Sequence, residues 1–470
     1  MLGWGKTKDL GEIDPQGRRL LGVIPETNEP VWAPPGHASV FGANGAGKST
    51  RVAVPAIFSY ASTARERPVL VCDVKDGELA AQCTPMLHAM GIPVAVIDDF
   101  GTRPELSEFR VSLNPFGAMV SAYDSDPRDL AFASETIMET LIPEPPNDER
   151  NAYFRAWPRK MIDFACGYLL KRGSERCTPG AVAEIIADQD VLITFAEIEP
   201  EEGTPHLKSQ AKAILAMQGH EHFGQHLESA QRALRLFAPG TRLNEVGAEA
   251  DCSHADLIRR GGFIFLIGPQ RFMERCGTYM GTNLMSFVDA LYAGAGSLRI
   301  LADEWTNFPA KALITRSTTL RAYGGELIMI SQSPSEVVRK FGEHEAQTAE
   351  DNSITKQWLG FSNFKEAEKI SKAIGEEHAV ASALGSDNGG FKTNTNLSLI
   401  KQRHMTPADL MAMPKEQCLV HIKGIGFMVL NTVSQENIEP YCNLIADNPL
   451  EGGRLTPNPI IKLAVPGVAS

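Results

Sequence analysis

The sequence predicts an α/β fold, a mainly parallel sheet flanked by helices and interrupted by an inserted all-α domain, and three observations predict it. Short unbroken runs of aliphatic and β-branched residues recur: "PVLVCD" (68–73), "PVAVID" (93–98), "GFIFLIG" (262–268), "LRILAD" (298–303) and "ELIMIS" (326–331), then "CLVHI" (418–422) and "GFMVL" (426–430). Bounded by turn residues, such runs fit strands buried on both faces, the kind found in parallel sheets covered by helices. Between "SLNPFGAM" (112–119) and about residue 235 the texture changes, and apolar residues fall at helical spacing, as in "AFASETIMETLI", "MIDFACGYLL" and "SQAKAILAM". Finally, the glycine-rich "VFGANGAGKST" (40–50) lies between the strand-like "HASVF" and the helix-like "STRVAVPAIFSY".

Taken in order, residues 1–35 read as a lead-in, and 36–118 with 236–445 as one discontinuous sheet-forming domain. Residues 119–235 form the helical insertion, with the breakers "PEPPNDER" and "EIEPEEGTPH" between its helices. "NFKEAEKISKAIG" (363–375) is helix-like, and "GSDNGGFKTNTN" (385–396) reads as a polar loop. The Pro- and Gly-containing stretch 446–470 reads as a flexible C-terminal tail.

With 470 residues and 43% hydrophobic content the chain can bury more than one core. A net charge of -12 argues against a surface coated with nucleic acid, while leaving room for a local basic channel. The eight cysteines show no two-residue pairing and read as reduced core thiols of a cytoplasmic protein. Three histidines cluster in "GHEHFGQH" (219–226), which reads as a surface helix end rather than a metal site. The N-terminus has no secretory-signal pattern, and no window reaches the roughly 20 apolar residues that cross a bilayer. The chain as given therefore reads as soluble.

"GANGAGKS" fits G-x-x-x-x-G-K-[ST]. In that pattern the backbone N–H groups of Gly42, Ala43, Asn44, Gly45, Ala46, Gly47, Lys48, Ser49 and Thr50 curl around phosphates. Lys48 neutralises the outer phosphates and Ser49 ligates Mg²⁺. "LRILADE" is the second half of the signal: a buried strand delivers Asp303, suited to the Mg²⁺ shell, and Glu304, suited to orienting and polarising an attacking water. Together the two segments indicate a nucleoside-triphosphate hydrolase. A kinase is disfavoured, because no acceptor or lid segment is recognisable. Gln332, after "ELIMIS", falls at the same rim of the sheet. It is read as either a γ-phosphate sensor or a plain turn residue.

These and further segments resemble the TraG-like type IV coupling proteins, ATPases that bring substrates to type IV secretion systems in bacterial conjugation. The resemblance runs from about residue 30 to about 435. It is carried by "GANGAGKSTRVAVPAIF", "VLVCDVKDGEL", "VIDDF" with "SLNPF", "LADEWTNFP", "LRAYGGELIMISQSPSEVVRKFG" and "RHMTPADLMAMPKEQCLVHIKG". It implies a RecA-like P-loop domain binding ATP and Mg²⁺, and an inserted helical domain. It also implies a homo-hexamer that threads DNA, expected to be a relaxase-bound single strand, or an effector protein toward the secretion channel components. Arg321 falls where the family carries an arginine finger donated by a neighbour. An ordinary helix-end salt bridge is the other reading, with Arg316 and Arg339 as substitutes for the finger.

Two features depart from that pattern. The family's D-x-K-G-E occurs as Asp73-Val74-Lys75-Asp76-Gly77-Glu78, with Asp76 extra, which leaves the roles of Lys75 and Glu78 open. Relatives mostly begin with two membrane-spanning helices, which this sequence does not display. The expectation is a place at the cytoplasmic face of the bacterial inner membrane, with membrane contact through a partner or a missing anchor. A soluble FtsK/HerA-like DNA translocase and a nonenzymatic nucleotide-switched adaptor are the alternatives.

Overall fold

The hydrophobic runs become strands because each carries apolar side chains on both faces and can be buried only inside a sheet covered by helices. The computed structural model describes residues 10–146, 148–385, 394–450 and 453–466. In chain order its strands are β1 Glu12–Ile13, β2 Leu20–Val23, β3 Pro30–Trp32, β4 Ala38–Phe41, β5 Val69–Asp73, β6 Val94–Ile97, β7 Phe263–Ile267 and β8 Leu298–Ala302. They continue as β9 Gly325–Ser331, β10 Thr355–Trp358, β11 Glu376–Gly385, β12 Asn394–Arg403, β13 Gln417–Ile422, β14 Gly426–Asn431, β15 Ile438–Glu439 and β16 Ile461–Leu463.

The main sheet runs β3-β2-β14-β13-β10-β4-β9-β8-β5-β7-β6. From β10 to β6 every neighbouring pair is parallel. The remaining four strands extend the sheet in antiparallel fashion. "CLVHI" and "GFMVL" are thus a hairpin on the antiparallel side, and β14 is mostly only half-buried. In the parallel block β4, β5, β7, β8 and β9 are buried along their whole length. All run the same way, so their carboxyl ends form one rim.

Between β6 and β7 the described residues hold helices and no strand, and the longest are Leu130–Leu141, Ala152–Arg172, Gln189–Glu202, Pro205–Met217 and Phe223–Ala233. Two of these starts carry side-chain caps: Asp188 accepts from the amides of Asp190 and Val191, and Thr204 from that of Leu207. Glu199 is fully buried and is balanced by Lys171 and Arg172, each 3.0 Å away. In the histidine cluster His226 is buried, its ring 5.1 Å from that of Tyr153 and 5.5 Å from that of Phe154. The reading as a surface helix end therefore fails for His226. All eight cysteines are unpaired, and seven are buried. No helix among the described residues is long and apolar enough to cross a membrane.

Two further differences concern polar or short segments. "TKQW" carries no apolar run, yet it forms β10, a parallel neighbour of β4, where Gln357 is bonded inside, accepting from Arg19 at 2.7 Å and donating to Leu21 O at 3.1 Å. The polar loop expected at 385–396 overlaps the ends of the β11 and β12 hairpin, and residues 386–393 lie outside the described residues.

The expected flexible tail is, as far as it is described, part of the fold. β16 pairs in parallel with β1 and β15, burying Ile461 and Leu463, and Asn448 donates to Glu78 at 2.7 Å. Glu78, left open by the sequence, thus ties the helix Glu78–Ala89 to the C-terminal segment. Leu463→Ala is expected to lower stability by about 2–5 kcal/mol in chemical denaturation, the usual cost of emptying a buried leucine site. An unchanged midpoint would mean that this segment contributes nothing to the core.

Glu366 accepts from the indole nitrogen of Trp358 at 3.1 Å, and burial pushes its carboxyl up to about 7. A folded-state value above the unfolded one means that stability falls as pH rises through that interval. Glu366→Gln should therefore stabilise the protein above about pH 7. The gain should vanish below the ordinary carboxylate range, as read from thermal melts at several pH values.

Candidate nucleotide site

The loop after β4 turns back on itself at two glycines with positive φ, Gly45 (+76°) and Gly47 (+84°), where a side chain would strain the backbone. Its first amide, from Gly42, donates to Ser331 O at 3.1 Å, which joins the loop to the end of β9. The following helix carries Arg51, whose guanidinium donates to the carbonyl of Lys415 and ties the loop to the "MTPADLMAMPK" segment. Ala43, Asn44 and Gly45 are exposed at the tip, whereas Lys48 is buried.

Lys48 Nζ donates to Gly42 O at 2.8 Å and lies 3.0 Å from Glu304 Oε1. Lys75 Nζ donates to Ser49 Oγ at 3.2 Å and lies 3.2 Å from Asp303 Oδ2. Two lysines thus balance two carboxylates. Burial raises the Glu304 carboxyl above its ordinary value and neighbouring Asp303 adds to this, while Lys48 and Lys75 pull it back. Burial works against the charge of Lys75, but Asp303, Glu304 and Glu78 outweigh it and hold the ammonium above its ordinary value.

Glu304 adopts the left-handed conformation at φ 46°, which costs a non-glycine residue on the order of 1–3 kcal/mol. Two features hold it there. Trp305 is buried and stacks on Phe341 at 5.0 Å, and Asn307 N donates to Glu304 O at 2.9 Å. The strain aims the carboxylate back across the rim toward Lys48.

The turn between β5 and its helix explains the extra residue. Asp76 (φ 52°) accepts from Gln270 N at 2.9 Å and donates its own amide to Gly268 O at 3.2 Å. It therefore holds Lys75 against the segment after β7. Asp73, just before it, is wholly buried; burial pushes its carboxyl up to about 7, against the bond it accepts from Ala80 N at 2.9 Å.

Above these groups opens a cavity of about 700 Å³, lined by Asn44, Lys75, Arg271, Glu304, Asn307 and Gln332 among others. That volume lies within the range of roughly 300–1,000 Å³ typical of small-molecule sites. Gln332 is exposed on this wall, and its amide donates to Glu336 Oε2 at 3.1 Å. Glu336 also accepts from Thr306 Oγ1 at 3.0 Å, so it clamps the segment after β8 to the segment after β9. The sequence reading missed this clamp, as well as Gln270 to Arg275; the only available signals were the charge at the start of "PSEVVRKF" and the proximity of "PQRFMER" to a strand end.

Arg321 is elsewhere. It is exposed in the turn before β9, at the amino ends of the parallel strands, close enough to His37 to help hold that imidazole below its usual value, chiefly an effect of burial. The structure brings together Lys48, Ser49, Asp303, Glu304 and Gln332, and separates Arg321 from them. Among the substitutes, Arg316 is engaged with Thr136 at 2.5 Å and Asp289 at 3.8 Å.

Chemically, the arrangement offers a ring of backbone amides, two lysines and a hard-oxygen pair, the Ser49 hydroxyl and the Asp303 carboxylate. That pair suits a divalent cation such as Mg²⁺. The fit has a direct sign: one cationic group, the Lys75 ammonium, already lies within 3.2 Å of both oxygens. Asp303 Oδ1 is buried without a hydrogen-bond partner.

Comparison with known proteins is consistent with this geometry. Residues 297–415 match the family described as the TraM recognition site of TraD and TraG. No curated protein sequence matches the chain. The solved bacterial conjugative coupling protein TrwBdeltaN70, in its unbound monoclinic form, is 16% identical, with a TM-score of 0.63 and 84% of each chain covered. TrwB with the non-hydrolysable ATP analogue ADPNP is 17% identical (TM-score 0.61), and TrwB with ADP and Mg²⁺ is 15% identical (TM-score 0.60); each covers 84% of this chain and 85% of that one. Residues 297–415 are thus similar to the TraD and TraG segment, and the chain as a whole shares its fold with the conjugative coupling protein TrwB.

Proposed function

We propose that this chain is an ATP-hydrolysing coupling protein that recruits DNA, as a relaxase-bound single strand, or a protein substrate, and drives it into a type IV secretion system. The observation that carries this reading is the meeting of Lys48, Ser49, Asp303 and Glu304 on one rim, beside a cavity of nucleotide size that Lys75, Glu304 and Gln332 line. The likeness to TrwB and the TraD and TraG segment support the setting. TrwB has been solved with ATP and GTP analogues and with ADP and Mg²⁺, which supports ATP and Mg²⁺ as the ligands here.

In this reading the loop of residues 42–50 cradles the phosphates through its backbone amides other than that of Gly42, which is held by Ser331 O, and Lys48 leaves Glu304 for the outer phosphates. Ser49 and Asp303 hold Mg²⁺, which supplies neutralisation of the charge that develops on the transferred phosphoryl group. Glu304, released from Lys48, orients and polarises the attacking water; Gln332 contacts the water or the γ-phosphate. Because Lys48 lies 3.0 Å from Glu304, the base becomes available only when phosphate takes the lysine. Arg321 is donated by a neighbouring copy in a homo-hexamer, and the chain works at the cytoplasmic face of the inner membrane beside channel components.

Lys48→Ala is expected to lose nucleotide binding. Glu304→Gln should keep binding while hydrolysis falls by about 10²–10⁴-fold, the usual contribution of a positioned base. Wild-type hydrolysis should be stimulated by single-stranded DNA. Robust turnover indifferent to DNA would count against a DNA pump, and full turnover in Glu304→Gln would remove Glu304 from the chemistry.

Arg321→Ala should bind nucleotide normally but hydrolyse it at least about 10³-fold more slowly, as expected of an arginine finger. Mixing Arg321→Ala with Glu304→Gln subunits should restore part of the activity, because some interfaces then pair an intact base with an intact finger. Failure of the mixture to recover any turnover would place Arg321 outside the site.

A further inference from the structure

We infer that Lys75 is a built-in counter-ion, holding the place between Ser49 and Asp303 that a divalent cation takes when nucleotide is bound. Loading the site then exchanges one cation for another. This rests on the reading of Ser49 and Asp303 as metal ligands, and it gives Lys75 the role that the sequence left open.

The register of the sheet creates the need for such a group. β5 and β8 are neighbours with Cys72 opposite Ala302, so Asp73 and Asp303 leave adjacent strands side by side. Both are buried, at 0% and 1% exposure. Asp73 accepts from the Ala80 amide at the start of the helix that follows β5. Asp303 has no such donor for Oδ1. An uncompensated carboxylate in such surroundings is costly, and removing the partner of a buried charge typically destabilises by several kcal/mol.

Lys75 supplies the compensation from the next turn of chain, 3.2 Å from Asp303 and from Ser49. The turn that carries it is fixed by Asp76, which bonds Gly268 and Gln270. The ammonium itself is not walled in. It retains 22% side-chain exposure and lines the 700 Å³ cavity, so it can withdraw on its flexible stem without disturbing the turn. Lys48 is engaged with Gly42 and Glu304 and does not serve Asp303.

The test uses the full chain as wild type, Lys75→Met and Lys75→Arg. The dissociation constant of a fluorescent ADP derivative is measured in EDTA and in saturating Mg²⁺. Lys75→Met should bind about tenfold more weakly than wild type in EDTA, the scale of a lost charged hydrogen bond, and within about twofold of it in Mg²⁺. Lys75→Arg, which keeps the charge, should follow wild type in both. Equal loss in both media would make Lys75 an ordinary phosphate ligand, and no loss in either would make it a bystander; each outcome overturns the proposal.

A second readout needs no nucleotide. In EDTA the Tm of Lys75→Met should fall below that of wild type, and Mg²⁺ alone should restore it at a concentration about tenfold lower than wild type needs for its own shift. An unchanged Mg²⁺ dependence would sink the exchange. Should wild type bind no nucleotide at all, the nucleotide-site reading fails by itself, and this melt still decides the role of Lys75.

Discussion

A carboxylate buried at the end of a central strand sets the requirement that the rest of the site satisfies. Asp303 is 1% exposed, follows the wholly buried β8, and lies beside a second buried acid, Asp73. Neither can turn to water, because β5 and β8 are covered on both faces and locked in parallel register. The protein therefore brings positive charge to Asp303 from the turn after β5 as Lys75, while Lys48, from the loop after β4, serves the neighbouring Glu304. Lys48 lies 3.0 Å from Glu304 and Lys75 3.2 Å from Asp303, so each of these two carboxylates has a cation of its own.

Much of this was legible in the sequence, because the hydrophobic effect and covalent chemistry write clear patterns. Continuous apolar runs could only be interior strands, and Gly42, Gly47, Lys48 and Ser49 fix the loop in four letters. β10 was illegible for the opposite reason: it is polar, and the bond that Gln357 accepts from Arg19 reaches across more than 300 residues of chain. β16 was hidden by its length, three residues whose burial depends on β1 and β15. Lys75 could be seen as part of a motif, but the register that sets its ammonium between Ser49 and Asp303 is a property of the sheet.

Local strain and distant clamps work together at the same rim. Glu304 holds an unfavourable backbone conformation, and such a residue persists only when its surroundings over-determine it. Trp305 on Phe341, and Glu336 bonded to both Thr306 and Gln332, provide that support. The Glu336 clamp spans the ends of β8 and β9, so a shift of Gln332 is transmitted to the turn that carries Glu304. Glu336 thus joins the backbone of Gln332 to the segment that follows Glu304.

What this rim does not contain follows from the same topology. Parallel strands send their carboxyl ends one way and their amino ends the other, and Arg321 precedes β9 while Gln332 follows it. A strand of seven residues at about 3.3 Å each separates the two positions by roughly 20 Å, far beyond the reach of an arginine side chain. Arg321 therefore cannot reach the rim of its own chain, and the guanidinium groups on hand there are those of Arg271 and Arg275, which line the same cavity as Lys75 and Glu304.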